Sequence, residues 1–196
     1  GTVILDASTD DSFAANGNKP AILLDGNALS VAGLEITSSG GGSTIRGLVI
    51  QHFGGDGIKI DSGSNGNTIA GNYIGAIGTN GLAGGSGMTS SAALYVLGAN
   101  NVIGGTTATD RNVISGNANG VFIDTAAATG NQVIGNYIGT DFTGNTAVAN
   151  TFDGVRVQGG ATGNTVGGSA TTQRNVISGN GQDGIQIDGE TSDGNT

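Results

Sequence analysis

Short segments recur along the chain in which two hydrophobic residues flank one of any type. Ile58-Lys59-Ile60, Leu94-Tyr95-Val96, Val121-Phe122-Ile123, Val155-Arg156-Val157 and Ile185-Gln186-Ile187 are the clearest. Alternation of this kind predicts a short strand with one buried face. Two further classes of apolar segment each open with asparagine. One class starts at Asn67, Asn101, Asn131, Asn164 and Asn195, the other at Asn72, Asn112, Asn136 and Asn175. No helical period extends over a useful length.

These segments form a repeat. Asn101–Asn117 returns as Asn164–Asn180, 63 residues on, and Asn67–Gly75 returns as Asn131–Gly139, 64 residues on. Two kinds of coil therefore alternate, with starts 34, 30, 33 and 31 residues apart from Asn67 to Asn195. Three short strands per coil, joined at Gly, Asn and Asp corners, describe a parallel β-helix in which each strand pairs with its equivalent one coil away. Glycine suits corners that need positive φ. Asparagine recurring at a fixed corner predicts ladders of side-chain amides along the axis, formed by Asn67, Asn101, Asn131 and Asn164 and by Asn72, Asn112, Asn136 and Asn175. Ile69, Ile74, Val96, Ile103, Ile114, Ile123, Ile138, Val157, Val166, Ile177 and Ile187 are expected to point inward. One coil type inserts a loop after its first strand (Thr106–Arg111), the other after its second (Ala76–Ser91 and Thr140–Asp153). The opening is less regular. Val3–Asp6, Ala21–Asp25 and Leu34–Ile36 are strand candidates, with a loop at Ser8–Lys19. The reading is one all-β domain over 1–196, irregular over 1–42 and regular over 43–196, and a segment of a longer protein.

Composition narrows the function classes. Forty glycines and one proline among 196 residues, without a Gly-X-Y period, exclude collagen. Charged residues make up only 11%, and recurrent Ile, Val and Thr give the chain something to bury, unlike a disordered acidic tail. A net charge of −9 opposes nucleic acid and anionic membranes, which call for a basic face. No apolar stretch has the length of a membrane helix, so membrane insertion is not expected. Cysteine is absent, so disulfides contribute nothing.

Two motifs carry a resemblance. Asn112-Val113-Ile114-Ser115-Gly116-Asn117 and Gly135-Asn136-Tyr137-Ile138-Gly139-Thr140-Asp141-Phe142-Thr143-Gly144 resemble those of right-handed parallel β-helix repeat proteins, found in large bacterial secreted and surface proteins. Leu23-Leu24-Asp25-Gly26, followed by Ser43–Ile50, resembles the region that precedes such repeats. The resemblance covers nearly the whole chain and implies a right-handed single-stranded solenoid at a cell surface or outside it. It is poor for function, because the fold serves polysaccharide lyases, epimerases, tailspike hydrolases, adhesins and passive stalks.

Candidate chemistry is sparse. Lys19, Arg46, Lys59, Arg111, Arg156 and Arg174 are all the lysines and arginines. A lyase would draw its base from these. Lys59 and Arg156 occupy outward positions on third strands near Asp56, Asp61, Asp153 and Asp188, where Asp-Gly is more simply corner chemistry. Asp153 and Asp183, on equivalent corners of adjacent coils, are the pair a glycosidase would use. His52, the single histidine, has no metal-ligand partner at a recognisable spacing. No cofactor is expected, except that Asp10, Asp11 and Asp141 in loops could chelate Ca²⁺. Tyr73 and Tyr137, outward on one face two coils apart, are the candidates for stacking on sugar rings. Arg111 and Arg174 are expected to hold the inserted loops onto carbonyls or Asp. The favoured reading is a non-catalytic structural module of an extracellular or cell-surface protein. The alternatives are a carbohydrate-binding or lyase-like β-helix partnered by surface glycans, and a filament subunit self-associating by coil stacking.

Overall fold

The computed structural model describes residues 1–88, 90–189 and 191–196. Its strands are mostly three residues long and form three parallel sheets of six strands each. The first sheet stacks Ile4–Asp6, Thr44–Arg46, Thr68–Ala70, Val102–Gly104, Gln132–Ile134 and Thr165–Val166. The second stacks Ile22–Asp25, Leu48–Gln51, Tyr73–Gly75, Val113–Ser115, Tyr137–Ile138 and Val176–Ile177. The third stacks Leu34–Ile36, Ile58–Ile60, Ala92–Val96, Asn119–Ile123, Val155–Val157 and Ile185–Ile187. Each sheet takes one strand from every coil, so the chain is a parallel β-helix of six coils.

Register explains the core. Ile45, Ile69, Ile103 and Val133 align in the first sheet, and Ile50, Ile74, Ile114 and Ile138 in the second. In the third, Ile58, Leu94, Val121 and Val155 run beside Ile60, Val96, Ile123 and Val157. These residues are all buried. Burying each such side chain contributes about 1.5–3 kcal/mol, and every rung of these columns is a branched aliphatic side chain. Val166 and Ile177 pack partly buried against this core, whereas Ile187 is 51% exposed. Ile187 continues the Ile60–Val157 column, but its strand is paired on one side only.

The first coil uses the same three strand positions as the others, and its irregularity lies in the connections. Within Ser8–Lys19, read from sequence as a loop, Asp11–Ala15 forms one helical turn. Asp10 starts it, accepting the backbone N–H of Ser12 at 2.8 Å.

Candidate functional site

Asparagine sets the corners. At the corner before the first sheet, Asn101 Oδ1 accepts both the backbone N–H of Asn67 at 2.9 Å and its Nδ2–H at 2.8 Å. The pattern repeats from Asn101 to Asn131, Asn131 to Asn164 and Asn164 to Asn195. Asn72, Asn112, Asn136 and Asn175 form a second ladder before the second sheet. A third, which sequence reasoning missed, runs from Asn117 through Asn150 to Asn180 before the third sheet. Its signal was the Ser-Gly-Asn repeated at 115–117 and 178–180. Asn150 follows an inserted segment of different length, which hides it from any fixed spacing. Apart from the last of each ladder, every one of these asparagines donates to the side-chain oxygen of the next, so each ladder is a chain of aligned dipoles in a low-dielectric interior.

The outer face of the second sheet is a column of Leu23, Val49, Tyr73, Val113, Tyr137 and Val176. Both tyrosines point outward here, yet they do not form an open pair. The inserted segments fold back as hairpins, bridged at Ile77–Ala83 and Thr140–Ala147, and bring Ile77 and Val148 onto the column. Tyr73 is left 6% exposed, and burial pushes its phenol up to about 12. The expectation of an exposed ring is corrected at this position. Strand alternation gives a side chain's direction but not what later covers it. Tyr137 is half-buried, with the Arg111 guanidinium over its ring at 4.0 Å and Gly144 of the hairpin against its edge.

The loop acids act as turn caps. Asp141 accepts the hydroxyl of Thr143 at 2.7 Å and the backbone N–H groups of Thr143 and Thr146. Burial raises its pKa, but these hydrogen bonds outweigh it and hold the carboxyl below the usual range. Asp10 is lowered by its bonds to the hydroxyl and backbone N–H of Ser12. Asp11 is exposed in the first turn of the short helix. Asp10 and Asp11 belong to the first coil and Asp141 to the fifth. Among the described residues, no three His, Asp or Glu side chains are grouped to hold a metal ion.

The outer face of the third sheet carries Glu35, Lys59, Tyr95, Phe122, Arg156 and Gln186 in one column. Lys59 reaches Glu35 at 2.7 Å and Asp61 at 2.8 Å, and these bonds, that to Asp61 foremost, hold its ammonium above the usual range. Tyr95 and Phe122 pack with centroids 5.2 Å apart, and Arg156 lies 5.6 Å from the Phe122 ring. The Tyr95 hydroxyl donates to Asp124 at 2.9 Å, and burial with this bond raises its pKa to about 12. Arg156 also lies 3.8 Å from Asp153 and 3.6 Å from Asp188. Asp153 is fully buried; one of its oxygens accepts the backbone N–H of Asp183 at 3.1 Å, and the other has no hydrogen-bond partner. Burial, opposed by bonds from Ser91 and the Ala92 N–H, raises the Asp56 carboxyl. Cations and carboxylates on this face are thus engaged with each other. His52 stands elsewhere, at positive φ, 3.3 Å from Asp25.

The remaining arginines meet at a different place. Arg111 and Arg174 end the loops inserted after the first strands of the fourth and sixth coils. Arg111 donates from Nε to the Gly135 carbonyl at 3.1 Å. Arg46 clasps the fourth-coil loop from two coils away, pairing with Asp110 at 2.8 Å and donating to the Thr109 carbonyl. Between Arg111 and Arg174 opens a pocket of about 360 Å³, lined also by Tyr137, Thr171, Asn175 and Val176. Comparison with protein-family models, curated proteins and solved structures gives no match.

Proposed function

We propose that the chain is a rigid structural module of an extracellular or cell-surface protein, of the large bacterial secreted type its motifs resemble. The supporting observation is the set of three asparagine ladders, which join successive coils along the axis at all three corners. Sheet hydrogen bonds run along the same axis, so extension or bending must break several buried bonds at once. The tips of the outer hairpins can then vary without touching the core. The test is antibody labelling of native cells with serum raised against this chain. Labelling of intact cells or of the culture fluid supports the reading, and labelling only after permeabilisation contradicts it.

A further inference from the structure

We infer that the pocket between Arg111, Tyr137 and Arg174 binds an oxyanion, a carboxylate or a sulfate or phosphate ester borne by the ligand. Arg46, Lys59 and Arg156 each reach a carboxylate, in a chain with 15 acidic residues against six lysines and arginines. Arg111 and Arg174 have no carboxylate partner among the described residues, and both line this one pocket. Arg111 is aimed: its Nε is tied to Gly135 and its plane rests on Tyr137, which leaves the terminal nitrogens as donors. A planar guanidinium held this way presents a fork suited to two oxygens of one anion.

The repeat also keeps negative charge away from Arg174. In the fourth coil, Asp110 closes the loop by accepting the N–H of Thr107 and neutralises Arg46. The equivalent residue in the sixth coil is Gln173, whose Oε1 accepts the N–H of Ala170 at 3.1 Å. The amide preserves the loop's hydrogen bond and withholds the negative charge beside Arg174. An aspartate there would serve the loop equally well and would add a negative charge on the residue next to Arg174.

The test is NMR titration of the arginine Nε–Hε signals with sodium sulfate, inorganic phosphate, glucuronate and uncharged glucose at constant ionic strength. Saturable shifts at Arg111 and Arg174, but not at Arg46 or Arg156, are expected with at least one anion and not with glucose. Preference for glucuronate identifies a carboxylate ligand, and preference for sulfate or phosphate identifies an ester. Arg174→Gln should weaken binding by about tenfold or more, the loss of a charge-assisted pair. Gln173→Asp, which restores the fourth-coil sequence and so keeps a native loop, should also weaken binding, by placing a like charge near the anion. Shifts spread evenly over all the arginines, no saturable shift with any anion, or affinity unchanged in both variants would overturn the assignment.

Discussion

At the residue scale, two small groups decide whether a coil can stack on the next. Asparagine offers an acceptor and two donors on a short stem, which lets Asn112 accept from Asn72 and donate to the Ile69 carbonyl and to Asn136 together. Asn112→Ala leaves the Asn72 N–H without its acceptor, takes one of two acceptors from the Asn72 amide and removes the side-chain donor to the Ile69 carbonyl. A buried group left in this way costs about 1–3 kcal/mol, so a loss of about 2–5 kcal/mol is expected in urea unfolding. Glycine is demanded where coils and loops touch. Gly135 has a φ of 70°, and a Cβ there would stand 2.1 Å from the Gly105 carbonyl. Gly135→Ala should therefore destabilise the chain and detach the loop that Arg111 anchors, seen as faster hydrogen exchange over residues 105–111.

At the element scale, strands were readable and their covers were not. A period of two survives in three residues because each strand has one face in the core, so Ile58-Lys59-Ile60 or Val155-Arg156-Val157 reveals both strand and orientation. The Asn67 ladder was legible because its asparagines recur at near-even spacing, and the Asn72 ladder because the loops inserted ahead of Asn112 and Asn175 have the same length. The Asn117 ladder was obscured by the hairpin ahead of Asn150, and the burial of Tyr73 by hairpins that fold back over their own sheet. Pairings such as Arg46 with Asp110, 64 residues apart, depend on which coils a loop reaches and leave no local signal.

Two pH responses belong to the same scale. The Asp141 carboxyl is held low, so its contribution is fully present above about pH 4, the ordinary carboxylate value, and is lost as pH falls through its folded pKa. Acid should loosen the Thr140–Ala147 hairpin before the core melts, visible as changes at the Thr143 and Thr146 amides. The phenols of Tyr73 and Tyr95 are raised to about 12. Their stabilisation is complete below about pH 10, the unfolded tyrosine value, and is lost as pH rises from there through the folded pKa. Ultraviolet titration should show two tyrosines ionising late, reduced to one in Tyr73→Phe.

At the scale of the whole molecule, the parts form one continuous axial stack. Three hydrophobic walls, three ladders and parallel sheet bonds all run the same way, and the varied surface sits on the outside. Tyr73 shows how that outer layer can seal one face, while the Arg111–Arg174 pocket shows how it can leave a specific opening. The proposed scaffold role derives from stiffness and display, and it requires a core that tolerates no kink between coils. The most direct measurement is cryo-electron microscopy of the native protein. A rigid surface scaffold predicts a straight rod of coils stacked about 4.8 Å apart, standing at or released from the cell surface. Continuous filaments of such rods would favour self-assembly by coil stacking. A segment that bends between its coils, or that resides inside the cell, would contradict the scaffold role.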